Sequence, residues 1–430
     1  MTSQKHLKAA VRARMARTGE RYTTARRHLT GETAPPSGLL PGYRTFGGGR
    51  HHDSTLLTHV LEAEGVTAAH DGGPLDEPMV AGLAGGIGFM YFSFSYVGHV
   101  PTMTIVPRIH PRPFLLGALE RTGVPHRTTE TTSAAKAARE LTAALDAGRT
   151  PICTVDRAGL GHQFWAGSMP GSDPYEVVVA GRRDDVLLLD DDCLEPVEVA
   201  ADAFAAARAA HRKSKHRMVV VEPGARPVDL APAIRSALAV TVHDLTEDVM
   251  PGNFAGNFGL RGLAKWAHAL ADRRSKTGWA RLFDSGPAFG SAMRRVYDCL
   301  TFDHSSPGAM RPLYADFLTE SAGIVGDPKL REAAARYEEA GALWSELADT
   351  ALAGSLAGYR PLVERRMELL LGGGTGEELR AVAGEVEALT AGLDVPESDR
   401  LAELDALAAL AARLVPLERE ACAVLAEAAG

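Results

Sequence analysis

The segment Gly47-Gly48-Gly49-Arg50-His51-His52-Asp53-Ser54-Thr55-Leu56-Leu57 joins a glycine-rich turn directly to an amphipathic stretch. Apolar residues recur at helical spacing after Ser54 and predict a helix from Asp53 to Glu64. A glycine loop at a helix N-terminus points backbone N–H groups at one spot, where a reactive group or an anion can be held. The segment therefore predicts a functional site, with the histidine pair His51 and His52 standing where a cysteine or serine nucleophile is expected.

Composition indicates a soluble globular protein with more than one domain. The chain has 430 residues, 45% of them hydrophobic, and a net charge of -8. This charge argues against nucleic acid or an anionic membrane surface as a partner. Residues 1–28 are rich in lysine and arginine, with Glu20 as the single acid, and no apolar region follows them. We therefore expect residues 1–36 to form a basic, flexible tail and not a secretory signal.

The four cysteines, at positions 153, 193, 299 and 422, show no metal-type spacing and are too few for a disulfide framework. They favour a reducing, cytoplasmic location. Val80–Val100 is the one stretch that resembles a membrane span. Its many glycines and small polar residues instead predict a buried turn and strand in a soluble core.

Short runs rich in valine and leucine follow two predicted helices, Arg112–Thr122 and Ser133–Ala147. Runs of this kind, separated by turn residues, predict one antiparallel sheet that packs on the earlier helices. They are Ile152–Val155, Val177–Val179, Val186–Leu189 and Met218–Val221.

The second half of the chain changes to long alanine- and leucine-rich stretches without a clear strand. The pattern predicts helices at Arg331–Leu352 and Glu377–Ala391, and a further stretch at Leu401–Ala429 that breaks near Pro416. The expected fold class is therefore α+β, with an antiparallel sheet in the N-terminal domain and an all-helical C-terminal domain. The predicted boundaries are 37–223 and 224–430.

Several segments resemble the butirosin biosynthesis protein H family. In the N-terminal half these are the segment Gly48–Leu57, the glycine- and aromatic-rich Gly85–Phe92, Val155-Asp156, and the strand Tyr175–Gly181. In the C-terminal half the resemblance to the helical domain that often follows is carried by Phe258–Leu263, Arg311–Leu318 and Ala342–Leu347.

The resemblance implies a papain-like N-terminal domain and acyl transfer from a carrier-protein thioester to an aminoglycoside amine. It also implies a cysteine at the start of the first helix, activated by a histidine at the start of a later strand. In this sequence His52 takes the place of that cysteine. Tyr175, with Glu176 beside it, takes the place of the histidine. The orienting acid is expected among Asp190, Asp191 and Asp192, with Asp190 as the assigned residue.

Three interpretations of the site follow. In the first, His52 is a neutral general base that deprotonates an acceptor amine, while N–H groups of the glycine loop stabilise the oxyanion. In the second, a metal is bound by His51, His52, Asp53 and Glu176, although no spacing motif supports this and no metal is expected. In the third, the domain has lost catalysis and binds a substrate, a carrier protein or a partner enzyme.

The catalytic candidates are therefore His51, His52, Tyr175, Glu176 and Asp190. The candidate substrate-binding residues are Gly48, Gly49, Asp53, Asp156 and His162. His162 either replaces the missing imidazole or is an exposed loop residue, and Cys153 is expected to be an inert core thiol. Arg311 and Asp316 are expected as a possible ion pair within the helical domain. The expected partners are an acyl carrier protein and a small-molecule amine, without a cofactor, and a homo-oligomer remains open.

Overall fold

The structure is a computed structural model and describes residues 37–95, 100–163, 170–224, 226–372 and 374–429. The basic tail expected at residues 1–36 lies outside the described residues. Elements are numbered within the described part of the chain. The strands are β1 Ile87–Phe94, β2 Thr102–Arg108, β3 His126–Thr129, β4 Pro151–Asp156, β5 Pro174–Arg183, β6 Val186–Asp190, β7 Val197–Ala200 and β8 Met218–Val221.

Helices surround these strands and make up the C-terminal half of the described chain. Those of the N-terminal half are α1 His52–Ala63, α2 Glu77–Leu83, α3 Phe114–Thr122, α4 Ala134–Asp146 and α5 Ala201–Ala210. Those of the C-terminal half are α6 Leu230–Thr246, α7 Gly259–Ala271, α8 Trp279–Leu282, α9 Gly286–Thr301, α10 Arg311–Val325, α11 Lys329–Ala351, α12 Arg360–Gly372, α13 Gly376–Ala391 and α14 Glu397–Ala429. The predicted α+β class, with antiparallel strands followed by helices, is confirmed.

The main sheet is antiparallel throughout, with strand order β3-β8-β4-β5-β6-β7 in the described residues. All four valine- and leucine-rich runs lie in it. The sequence analysis missed the two edge strands, β3 and β7. Each has only four residues, half-buried or exposed, and neither carries an apolar run that would indicate a strand.

Alternate residues of the sheet face two different hydrophobic cores, as the period of a strand requires. Val178 and Val219 contribute to the core that contains α1, whereas Val177 and Val220 contribute to the core that contains α4 and α5. The sheet therefore lies between two helical layers. This arrangement places α1 next to the ends of β5 and β6.

The two halves of the chain share a hydrophobic core. Side chains of α1 and α2 lie in one continuous core with those of α10 and α14. The hairpin β1-β2 also packs on the C-terminal helices, where the Trp279 Nε1–H donates a hydrogen bond of 2.9 Å to the Tyr91 hydroxyl. The described part of the stretch that resembled a membrane span thus contains the end of α2, a turn and β1. None of the helices within the described ranges has the length and hydrophobicity to span a bilayer.

One predicted feature of the helical half is wrong. α14 runs from Glu397 to Ala429 without the break expected near Pro416, which lies inside it. Pro416 is exposed, so water can satisfy the carbonyl group that loses its helical partner. Burial of the apolar face on both sides of the proline keeps the helix continuous.

Candidate functional site

The glycine-rich turn packs directly on the first turn of α1. Gly47 and Gly48 have φ angles of 57° and 84°, in the left-handed region that favours glycine. A Cβ atom at Gly49 would lie 1.5 Å from Oγ1 of Thr55, so a side chain cannot be accommodated there without movement of the backbone. Gly48 and Gly49 therefore shape the turn and set its distance from the helix.

A carboxylate of the protein itself accepts hydrogen bonds from the N–H groups at the end of this turn. Oε1 of Glu77, the first residue of α2, accepts hydrogen bonds from the backbone N–H groups of Arg50 at 2.6 Å and His51 at 2.7 Å. The hydroxyl of Thr55 donates to the same oxygen at 3.2 Å. This corrects the expectation that these loop N–H groups stabilise a substrate oxyanion. No sequence pattern indicated Glu77, because its position depends on how α2 packs against α1.

His51 is the N-cap of α1 and is almost completely buried, with 1% exposure. Its Nδ1 accepts a hydrogen bond from the N–H of Ser54, which places the ring proton on Nε2. The ring packs edge-on against Phe114, and burial lowers the pKa of His51 to about 3. His51 is therefore a neutral helix cap, and its expected catalytic role is not supported by this position.

His52 lies between two carboxylates. Its Nδ1 is 3.1 Å from Oδ1 of Asp53, and its Nε2 is 3.0 Å from Oδ1 of Asp191. Burial disfavours the charged ring, but the hydrogen bonds to Asp191 and Asp53 outweigh it and raise the pKa of His52 to about 10. The prediction of a neutral, proton-accepting His52 is therefore wrong, because two buried anions outweigh the helix dipole.

Tyr175, the residue expected in the place of the family histidine, stacks on His52. The ring centroids are 4.4 Å apart, at an interplanar angle of 24°. The guanidinium of Arg157 lies 4.7 Å from the Tyr175 ring centroid. Burial raises the pKa of the Tyr175 hydroxyl well above its usual value, so the phenol stays protonated. Tyr175 thus takes the place beside the helix N-terminus but supplies no base there at neutral pH.

Asp191, and not Asp190, is the acid of this site. Its Oδ2 accepts hydrogen bonds from Nε2 of His162 at 2.6 Å and from Nε2 of Gln163 at 2.5 Å. Burial alone would raise the pKa of Asp191, but the hydrogen bonds from His162 and His52 and its electrostatic interaction with both rings lower it below its usual range. His162 therefore belongs to the site and is not an exposed loop residue. The sequence analysis missed Gln163.

Asp190 contacts a different part of α1. It is buried and accepts hydrogen bonds from the Tyr43 hydroxyl at 2.7 Å and from Nδ1 of His59 at 2.6 Å. His59 lies seven residues beyond His52, two turns along the same helix. The assignment of Asp190 as the orienting acid is corrected to Asp191, because Asp190 is the last residue of β6 and faces the middle of α1.

Asp53, Glu176 and Asp156 lie in three different environments. Asp53 bridges His52 and Arg108, whose Nη2 is 3.0 Å from its Oδ2. Glu176 pairs with Nη2 of Arg217 at 3.2 Å, and burial raises its pKa. Asp156 is buried and accepts the N–H of Gly171 at 2.8 Å, so here it orders a loop and does not face the cavity described next.

A cavity of about 220 Å³ is lined by Asp53, which follows the histidine pair in the chain, and by Tyr175, which stacks on His52. Arginines and imidazoles line it together with aromatic rings and two carboxylates. The lining residues are Asp53, Arg108, His110, Pro111, Arg112, Pro113, Phe114, Leu115, Leu116, Pro174, Tyr175, Glu176, Arg217, Val219 and His304. The sequence predicted Asp53, Tyr175 and Glu176 as site residues but none of the others. Those come from the end of β2, the segment after it and the first turn of α3, from Pro174 of β5, from Arg217 and Val219 at β8, and from His304 of the C-terminal half.

The cysteines of the chain do not replace the missing nucleophile. All four are buried. Cys153 lies in the sheet core, where burial raises the pKa of its thiol to about 11, so the prediction of an inert core thiol is confirmed. Cys193 donates its S–H to the carbonyl of Leu370 at 3.2 Å, and burial raises its pKa as well.

The histidine pair does not converge on one point. The ring of His51 is bonded to Ser54, whereas that of His52 lies between Asp53 and Asp191. Over the described ranges, no group of three or more histidine, cysteine, aspartate or glutamate side chains is arranged to hold a metal ion.

Two family models match the sequence. Residues 51–192 match the family described as butirosin biosynthesis protein H, N-terminal, and residues 307–371 match a domain of unknown function (DUF4872). The first match begins at His51 and ends at Asp192, so it contains His52, Tyr175 and Asp191 but not Arg217 or His304 of the cavity. No curated protein matches the chain significantly.

Proposed function

Because residues 51–192 match the family described as butirosin biosynthesis protein H, N-terminal, we propose that the chain serves natural-product biosynthesis as a non-covalent binding protein. The ligand is a small molecule held in the cavity beside His52. The observation that carries the proposal is the geometry of His52, whose two ring nitrogens are each within 3.1 Å of a carboxylate oxygen. The residue that we expect at the position of the family nucleophile is thus an ion-paired imidazolium.

Acyl transfer with His52 as general base is the competing function, and the same geometry argues against it. A general base needs an unprotonated nitrogen directed at the proton that it removes. With its pKa raised to about 10, the His52 ring is a cation at neutral pH and donates both N–H groups to Asp53 and Asp191. An acyl carrier protein and an amine would be the partners only of this competing function.

The experiment that separates the two functions incubates the protein with a small acyl thioester, acetyl N-acetylcysteamine, and an added primary amine. It measures the release of the thiol. We expect no thiol release above the buffer rate by chromatography and no acyl adduct by intact mass. Thiol release by the wild type that is lost in His52→Ala, with the circular dichroism spectrum retained, would establish acyl transfer instead. His126→Ala is the matched control, because His126 lies on edge strand β3 and its ring is hydrogen-bonded to the carbonyl of Val124.

A gain-of-function variant tests the same geometry from the opposite direction. In the double variant His52→Cys/Tyr175→His, the family cysteine and histidine return beside Asp191, which already accepts hydrogen bonds from imidazole. We expect this thiol to be alkylated by iodoacetamide at about pH 7 at least tenfold faster than any wild-type cysteine, since an adjacent imidazole lowers a thiol pKa. Equal alkylation rates for the introduced thiol and the wild-type cysteines would show that the residues around position 52 no longer activate a nucleophile.

A further inference from the structure

We propose that the cavity beside His52 binds a small organic carboxylate, held by Arg108 and the first turn of α3. This inference rests on the proposed binding function and names the ligand class of the same site. It depends on the contacts of Arg108, on the uncapped start of α3, and on the neutral imidazoles of His110 and His304.

Arg108 ends β2 and lines the cavity with a side chain that is 12% exposed. Its Nη2 pairs with Asp53, and its guanidinium carbon lies 4.9 Å from the Phe114 ring centroid. Nε of Arg108 is buried without a hydrogen-bond partner in the described residues. Asp53 is shared with the His52 cation, which also pairs with Asp191. Arg108 therefore has one N–H group, at Nε, that no acceptor in the described residues satisfies.

The first turn of α3, residues Phe114 to Leu116, lines the same cavity. The N-cap is Pro113, which makes no side-chain hydrogen bond to the helix. The first helical hydrogen bond runs from the N–H of Gly117 to the carbonyl of Pro113, so the preceding N–H groups have no intrahelical acceptor. Such N–H groups, together with the helix dipole, favour an anion. The start of α3 and Arg108 therefore both favour a negatively charged ligand.

Two neutral imidazoles complete the lining. Burial lowers the pKa of His110 to about 4 and that of His304 to about 3, and the nearby Arg108 adds to both shifts. A neutral imidazole offers one donor and one acceptor, so it can bond a carboxylate oxygen or a hydroxyl of the ligand. The remaining arginines are paired, Arg112 with Asp244 and Arg217 with Glu176.

The acidic groups of the lining limit the charge of the ligand. Asp53 and Glu176 face the cavity as well, so a polyanion would meet like charges next to the arginine. The volume of about 220 Å³ is small for a ligand site. A compact monocarboxylate fits both limits better than a phosphate, which has the same oxyanion chemistry but a higher charge at neutral pH.

The test measures binding to the full chain by calorimetry, with benzoate as the probe and benzamide as its neutral analogue. We expect benzoate to bind at least tenfold more tightly than benzamide and more tightly than inorganic phosphate. Arg108→Met should weaken benzoate binding at least tenfold, Arg108→Lys less, and Arg127→Met, which removes an exposed arginine paired with Glu222, not at all.

Equal affinity for benzamide would overturn the carboxylate assignment, and so would absence of benzoate binding. Tighter binding of inorganic phosphate would assign the oxyanion to phosphate and also overturn it. The comparison of benzoate with benzamide uses only the wild type, so it decides the question even if Arg108→Met fails to fold. Absence of benzoate binding would not change the result of the thioester assay. Thioester turnover, in turn, would refute the proposed function whether or not benzoate binds.

Discussion

At position 52 an imidazole carries a charge that its place at a helix N-terminus disfavours. The dipole and burial both oppose the cation, yet Asp53 and Asp191 lie within hydrogen-bond distance on the two sides of the ring. His51, one residue earlier, is more deeply buried, but its polar contacts are only a hydroxyl and an N–H, and it is neutral. Two adjacent histidines thus differ in charge because of their partners and not because of their position in the sequence.

This difference predicts a pH dependence of stability at His52. Its pKa rises from 6.5 in the unfolded chain to about 10 in the folded protein. The stabilisation from the imidazolium is therefore complete below about pH 6.5 and is lost as the pH rises toward 10. We expect His52→Gln to lower the free energy of unfolding by about 3 kcal/mol near pH 6. The loss should be smaller near pH 9.5.

Urea denaturation of the wild type and His52→Gln at both pH values measures this effect. His126→Gln, a substitution on edge strand β3, is the control and should show little pH dependence. The same loss of stability at both pH values would contradict a charged His52.

At the scale of elements, the start of α1 depends on two neighbours that are distant in sequence. Glu77 from α2 binds the N–H groups of the turn, and Asp191 from the end of β6 binds the first residue of the helix. The turn itself passes close to α1 because Gly49 has no side chain. The site is therefore held by the packing of α1 against both α2 and the sheet.

Gly49→Ala tests how closely the turn packs. The new Cβ would overlap Oγ1 of Thr55, so the turn must move away from α1 and weaken its hydrogen bonds to Glu77. We expect a loss of about 1 to 3 kcal/mol in the free energy of unfolding. Gly256→Ala is the matched control, since a Cβ there meets no atom within 4 Å. Equal stability of the two variants in urea denaturation would show that the turn is not constrained.

At the scale of the molecule, a buried ion pair ties the C-terminal helices to the hairpin β1-β2. Nε of Arg311 donates to Glu418 at 2.7 Å, and other guanidinium N–H groups donate to the carbonyls of Gly88 and Pro107. The sequence pattern suggested Asp316 as the partner of Arg311. Asp316 instead pairs with Arg50 of the glycine-rich turn at 2.6 Å. Both arginines therefore connect the N-terminal half to helices of the C-terminal half.

Arg311→Met should leave Glu418 as an uncompensated charge in the core. We expect the free energy of unfolding to fall by about 3 to 5 kcal/mol, as measured by urea denaturation. Arg336→Met removes one member of an exposed pair with Glu339 on α11 and should change stability by less than about 0.5 kcal/mol. A small effect of Arg311→Met would mean that water or a protonated Glu418 compensates the loss.

The sequence by itself determined the elements with strong periodicity and the position of the site along the chain. The helix after the glycine turn, the apolar strands and the long C-terminal helices each depend on local patterns that the residues display directly. That His52 and Tyr175 stand at the two family positions stays a prediction from the resemblance.

Tertiary structure alone decided the chemistry of those positions. Asp191 rather than Asp190 contacts His52 because the side chain that follows the last residue of β6 lies at the start of α1. The N–H groups of the turn bind Glu77 because of where α2 places that side chain. The charge of His52 follows from two carboxylates, one of which is 139 residues away in the chain. A pKa is set by distances and burial in three dimensions, and no local pattern of residue types encodes them.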